Sequence, residues 1–158
     1  MEEFEKLFRQ SNGLPVDYHG ETIFMTDRID AELNDLFLVT IEKTDSEYLQ
    51  GIGFSDNVSI FGETVKKAVV FEHFSIPLDE RQKIKSKLPF SFEVTCKNKK
   101  GHIAIYNMAL VDGVQQWWHN GFAMKKENIE NGWRYRCNDI KPNDDFTDLI
   151  FTINKITK

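Results

Sequence analysis

Hydrophobic and polar residues alternate in short runs along most of the chain, a pattern typical of half-buried β-strands. The alternation is clearest near the C-terminus, where Trp133, Tyr135 and Cys137 are separated by two arginines. Asp-Gly and Asn-Gly pairs between runs favour tight hairpin turns. The pattern predicts strands at residues 21–29, 35–43, 48–54, 57–61, 65–74, 90–97, 102–111, 114–119, 122–129, 133–138 and 149–153.

Two further segments have helical spacing. Residues 2–10 place Phe4, Leu7 and Phe8 on one helical face, which predicts a short N-terminal helix that docks on the core. Residues 78–87 follow a proline, carry acidic side chains in the first turn and lysines in the last turn, and predict one short internal helix.

About ten short strands with two short helices predict a mainly β fold. We expect one antiparallel β-sandwich or flattened barrel over residues 1–158, because no linker rich in Pro, Gly or Ser divides the chain. Within it, the polar residues Ser55-Asp56-Asn57 predict the turn of a hairpin.

Composition argues against several classes of function. The chain has 20 basic and 25 acidic residues and a net charge of −5, whereas sequence-independent binding of nucleic acid needs a basic surface. No apolar run approaches the ~18 residues that span a bilayer, and the N-terminal residues lack the apolar core of a signal peptide. We therefore expect a cytoplasmic protein without nucleic-acid or membrane partners, in which Cys96 and Cys137 are reduced core thiols.

The most distinctive stretch is an acidic loop between the last two predicted strands. Asp139, Asp144, Asp145 and Asp148 fall within ten residues, together with Asn143. Closely spaced Asp and Asn oxygens are ligands that Ca²⁺ prefers. Asn143, Asp145 and Asp148 are therefore the candidate metal ligands, and Ca²⁺ is the candidate cofactor; the alternative is that the loop carboxylates have a structural role.

The segment NDDFTDLIF, from Asn143 to Phe151, resembles the D-x-D-[FY]-x-D-hydrophobic motif of certain secreted bacterial β-sandwich domains. There the motif precedes the final strand and is suspected of holding calcium. The resemblance covers nine residues and implies a calcium site in this loop of a β-sandwich. The first aspartate of the motif is replaced by Asn143, which removes one charge.

Arg134 and Arg136 lie on the strand face opposite Trp133, where two guanidinium groups could bind a phosphate or carboxylate of a ligand. The alternative is that they pair with Asp144, Asp145 and Asp148 as a structural clasp. We prefer the clasp because it needs no ligand.

Trp117, Trp118 and His119 form a second candidate ligand site. Neighbouring residues of a strand face opposite sides, so we expect one of the two indoles on the outer face. An exposed indole flanked by polar groups can stack on a sugar ring, a base or the side chain of a partner. The alternative is that one of the two helices covers it.

No linear catalytic motif is present, so we assign no catalytic residue and consider an enzyme less favoured. Our first hypothesis is a non-catalytic binding module for a protein or carbohydrate, whose face combines the acidic loop, the two arginines and the outer tryptophan. The second is a small acidic intracellular inhibitor or immunity-type protein that caps a basic toxin or nuclease. The third is a hydrolase or lyase that depends on carboxylates.

Overall fold

The computed structural model describes residues 3–72, 88–118, 120–141 and 145–156, and the helix predicted at 78–87 lies outside them. The described chain contains one short helix and twelve strands, which confirms the mainly β prediction. None of its helices has the length and apolar character needed to cross a bilayer. The elements are α1 (Glu3–Gln10), β1 (Val16–Tyr18), β2 (Glu21–Phe24), β3 (Asp27–Asp30), β4 (Leu36–Thr44), β5 (Leu49–Ile60), β6 (Glu63–Phe71), β7 (Phe90–Cys96), β8 (His102–Val111), β9 (Val114–Gln116), β10 (Ala123–Ile129), β11 (Gly132–Asn138) and β12 (Leu149–Ile156).

The strands pair antiparallel in one continuous sheet that curls into a half-barrel. Its order is β1-β2-β10-β11-β12-β4-β7-β5-β8-β3, with β6 paired to β5 and β9 paired to β8. Because all of these strands belong to one sheet, a sandwich of two separate sheets is not confirmed. The strand predicted at 21–29 is divided into β2 and β3, because the first pairs with β10 and the second pairs with β8 at the other end of the order.

The hairpin turn predicted at Ser55-Asp56-Asn57 is wrong, because β5 continues through these residues with a β-bulge. Asp56 and Asn57 have positive φ angles of 76° and 64°, which Asp and Asn tolerate better than most residues. The turn into β6 comes later, at Phe61-Gly62. The bulge separates two pairings, since β5 pairs with β8 before it and with β7 after it.

The larger hydrophobic core lies inside the curled sheet. Tyr135 and Phe151 are fully buried there and stack with ring centroids 4.9 Å apart. Cys137 is also buried, and Trp133 is half-buried at the edge of the core, so the predicted inward face of this strand is confirmed. Cys96 and Cys137 are buried free thiols, as predicted.

A smaller core forms where α1 docks on the sheet, which confirms the predicted N-terminal helix. Phe4 meets Tyr18 edge to face at 4.9 Å and lies 5.6 Å from Phe146, measured between ring centroids. Phe146 belongs to the acidic loop, so this core ties the loop to the helix. Its buried members are Phe4, Phe8, Tyr18, Ile23, Ala123 and Phe146.

We expect Phe151→Ala to lower the free energy of unfolding by about 3–5 kcal/mol, because it empties a fully buried site. Trp133→Ala removes a half-buried ring and should cost roughly half as much. Urea denaturation of both variants measures the difference. Equal losses would place Trp133 in the core proper.

Candidate functional site

The predicted site residues do not form one face. His119 and Asn143 lie outside the described residues. The others are found at three separate places, namely the outer face of β11, the base of the loop between β11 and β12, and a groove beside α1.

On the outer face of β11, both predicted arginines pair with glutamates of other strands. Arg134 Nε lies 3.0 Å from Glu42 Oε1, and Nη1 lies 3.6 Å from Glu127 Oε1. Arg136 Nη2 lies 3.2 Å from the same Glu127 oxygen. The hydrogen bond and the charge of Glu42 raise the pKa of the Arg134 guanidinium. Among the described residues, the partners of the two arginines are therefore glutamates of the same sheet face, and not Asp145 or Asp148 as the clasp prediction expected. Asp144, the third predicted partner, lies outside the described residues.

At the base of the loop, Asp148 points into the protein and is 8% exposed. Its Oδ2 accepts a hydrogen bond of 2.9 Å from the backbone N–H of Asp139, whose side chain is also buried. Its own N–H donates to the carbonyl of Cys137. These bonds join the start of β12 to the end of β11.

Burial raises the pKa of the Asp148 carboxyl to about 7, although the hydrogen bond from the Asp139 N–H opposes the shift. The negative charges of Asp139 and, to a smaller extent, Asp45 raise it further. The two buried carboxyl groups of Asp139 and Asp148 are called the acid pair below.

The two described members of the predicted metal set have different surroundings. Asp145 is exposed, whereas Asp148 is buried against Asp139. Within the described ranges, no group of three or more His, Cys, Asp or Glu side chains is arranged to hold a metal ion.

Sequence reasoning missed the polar network around the acid pair. Asp139 Oδ2 accepts hydrogen bonds from Ser46 Oγ and from Gln50 Nε2, the latter at 3.2 Å. Asp139 Oδ1 accepts one from the Lys141 N–H. Gln50 also donates its backbone N–H to Glu72 Oε2 at 2.8 Å. The sequence offered only a weak signal for this network, because a single glutamine in a predicted strand does not reveal which residues its side chain contacts.

The groove beside α1 contains both predicted tryptophans and has a volume of about 360 Å³. The ring centroids of Trp117 and Tyr106 are 4.4 Å apart, and Arg9 Cζ lies 4.9 Å from the centroid of the Trp118 ring. We call this cavity the aromatic groove. It is lined by Phe8, Arg9, Asn12, Gly13, Met25, Trp117 and Trp118.

Trp117 and Trp118 line the same groove because the strand ends before them, at Gln116. Trp118 has a φ of 59°, in the left-handed region, so strict strand alternation does not apply. The prediction that the indoles face opposite sides is therefore wrong. The alternative was that a helix covers one of the indoles, and Arg9 of α1 does lie over the Trp118 ring.

Hydrogen bonds hold the two walls of the groove together. The N–H of Glu5 donates to the carbonyl of Asn120 at 3.0 Å, and the N–H of Asn120 donates to Glu5 Oε1 at 2.8 Å. Glu5 Oε2 accepts a further bond from Arg9 Nε at 3.0 Å. The helix and the tryptophan segment are thus positioned relative to each other without a ligand.

A scan against protein-family models finds no match to this chain, and a comparison with curated proteins finds none either.

Stability should fall as the pH rises from about 4 to about 7. The unfolded chain releases the Asp148 proton near its ordinary pKa of 3.8, whereas the folded protein holds it to about 7. The folded state therefore gains stability from this proton at low pH and loses it as the group ionises. Urea denaturation across this range in EDTA measures the loss. Asp148→Asn should remove this pH-dependent part of the stability, whereas Asp145→Asn, at an exposed position, should retain it. If the stability of Asp148→Asn and that of the parent protein change with pH in the same way, the assignment to Asp148 is wrong.

At pH 8 we expect Asp148→Ala to lower the free energy of unfolding by about 1–3 kcal/mol, because the buried N–H of Asp139 loses its acceptor. Asp148→Asn keeps an acceptor oxygen without the charge and should be the more stable of the two variants. Thermal and urea denaturation decide the order. Equal stability would show that the hydrogen bond contributes little.

Proposed function

We propose that this protein is a non-catalytic binding module that contacts its ligand through the aromatic groove. The proposal depends on one observation: two adjacent indoles line a cavity of about 360 Å³ whose opposite wall is a docked helix. Concave sites rich in aromatic side chains with a few polar groups are typical of ligand binding. Because hydrogen bonds already hold the walls together, binding would require little ordering of the chain.

The lining of the groove favours an apolar or aromatic side chain of a protein partner over a sugar. Phe8, Met25 and the two tryptophans provide apolar contacts, and a methionine adapts to different shapes. Sugar binding needs several free hydrogen-bonding side chains around the platform, but Arg9 is already bonded to Glu5. Tryptophan and arginine are also the residues most often found at the energetic centre of protein interfaces.

Charge suggests what kind of protein the partner is. A net charge of −5 would accelerate association with a basic partner and slow association with an acidic one. An inhibitor or immunity-type role is the special case in which that partner is a basic toxin or nuclease. The arginines of β11 add little to this face, since Glu42 and Glu127 neutralise them.

The carboxylate-dependent enzyme is less favoured. Asp139 and Asp148 are a close carboxyl pair with one raised pKa, which fits acid and base roles. They are only 1% and 8% exposed, however, so a substrate has no direct access to them in this conformation.

Nuclear magnetic resonance of the indole N–H groups tests the proposal, because the chain has three tryptophans. We expect p-cresol and indole, as mimics of aromatic side chains, to shift the signals of Trp117 and Trp118. Trp133 is the internal control, since its ring packs against Lys126 and the core edge away from the groove. The variants Trp117→Ala and Trp118→Ala assign the signals and should weaken fragment binding.

Different outcomes identify different errors. Shifts with methyl glucoside or N-acetylglucosamine but not with the aromatic fragments would replace the protein partner with a carbohydrate. Shifts at Trp133 alone would place the site elsewhere. No shift at millimolar concentrations of any fragment would contradict a binding role for the groove.

A further inference from the structure

We propose that β6 binds an extended, acidic segment of a partner protein as an additional strand of the sheet. The segment would pair with the margin of Glu63–Phe71 that faces away from β5, which we call the β6 edge. The aromatic groove is lined by residues of other elements, so this inference goes beyond the proposed function and does not depend on it.

The β6 edge is long and, within the described parts of the chain, has no neighbouring strand, since β6 pairs with β5 alone. The strands at the other margins of the sheet are shorter: β1 and β9 have three residues and β3 has four, whereas β6 has nine. Short edge strands protect a protein against pairing with other chains. A long free edge instead presents a row of N–H and C=O groups to which an extended peptide can add as a further strand.

A cavity of about 340 Å³ lies along this edge. It is bordered in succession by Lys67, Ala68, Val69 and Val70. Because consecutive residues of a strand point to opposite faces, a cavity that contacts all four lies at the margin of the strand, and β5 occupies the other margin. Phe61, which also lines the cavity, is 46% exposed. Binding by strand addition typically combines main-chain hydrogen bonds with apolar pockets for alternate side chains of the peptide, and the β6 edge offers both.

Two neighbouring lysines indicate which kind of segment fits this edge. Lys66 and Lys67 are exposed, and neither belongs to an ion pair among the residues that the structure describes. Acidic side chains on an added strand would make favourable cross-strand contacts with them. The net charge of −5 does not attract an acidic chain from a distance, so this attraction is local to the lysines.

The same lysines argue against a second copy of this chain as the added strand. Lys67 is the middle residue of Glu63–Phe71, so two β6 strands paired antiparallel over their whole length would place it directly opposite its own counterpart. Like charges in that arrangement are destabilising, and lysines are a common protection of edge strands against self-association. An acidic segment meets no such repulsion.

Nuclear magnetic resonance of the whole chain tests the proposal with a synthetic peptide in which valine and glutamate alternate. We expect the backbone amide signals of Glu63–Phe71 to shift, and hydrogen exchange to slow at the amides of β6 that do not bond to β5. Lys67→Glu should weaken binding about tenfold, because it replaces an attraction with a repulsion. Lys99→Glu makes the same charge change at an exposed position between β7 and β8 and, as the matched control, should bind like the parent.

Methylated peptides show whether the peptide binds as a strand. Alternate residues of a strand direct their N–H groups to opposite edges, so methylation of the valine nitrogens blocks one edge of the peptide and methylation of the glutamate nitrogens blocks the other. We expect only one of these two peptides to bind. Equal binding of both would show that main-chain hydrogen bonds to β6 are not formed and would overturn the proposal.

Further outcomes would also overturn it. No shift at millimolar peptide would exclude an acidic strand as the ligand, and shifts confined to the indoles of Trp117 and Trp118 would place the peptide in the aromatic groove. Equal binding of a peptide with lysine in place of glutamate would remove the role of charge. Slow exchange at every amide of β6 without peptide would show that the edge is already occupied, by a second copy if sedimentation detects a dimer and by the chain itself if it detects a monomer.

Discussion

The curled sheet depends on a connection of two residues, Met25 and Thr26, between strands at opposite ends of the strand order. The path from Phe24 to Asp27 has three peptide units and spans at most about 11 Å. The two ends of the sheet must therefore lie side by side, and the apolar face of every intervening strand points into one enclosed core. A flat sheet of the same strands could not satisfy this distance.

Asp27 stabilises this closure through side chains from the other end of the sheet. Its Oδ2 accepts a hydrogen bond of 2.6 Å from the hydroxyl of Tyr135 on β11 and lies 2.8 Å from Lys126 Nζ on β10. Burial, followed by the charge of Asp27, raises the pKa of Tyr135, which therefore remains a hydrogen-bond donor. The ammonium group of Lys126 in turn lies 4.9 Å from the centroid of the Trp133 ring. The inward residues of the alternating C-terminal strand are thus part of the closure.

The sequence pattern correctly predicted features that depend only on neighbouring residues, such as the inward face of a strand or the apolar face of a helix. Alternation identified Tyr135 and Cys137 as inward residues, and helical spacing identified Phe4 and Phe8. The break at Met25-Thr26 and the bulge at Asp56-Asn57 depend on pairing with distant strands. Asp and Asn with positive φ angles occur both in hairpin turns and in bulges, so the residues alone could not show that Asp56-Asn57 is a bulge. The same distinction between local and long-range features holds for the candidate site. Two adjacent tryptophans are visible in the sequence, but the left-handed backbone that places both in one groove is not, nor is the contact between Gln50 and Asp139 across 89 positions.

The loop between β11 and β12 connects the acid pair to the aromatic groove. At its base, the acid pair holds the ends of both strands together. Further along, Phe146 donates its N–H to Asn138 Oδ1 at 2.9 Å and packs its ring against Phe4 of α1, the helix that forms one wall of the aromatic groove. The contacts of Asp148 at the base of the loop and of Phe146 further along therefore help to fix the position of the helix that forms this wall of the groove.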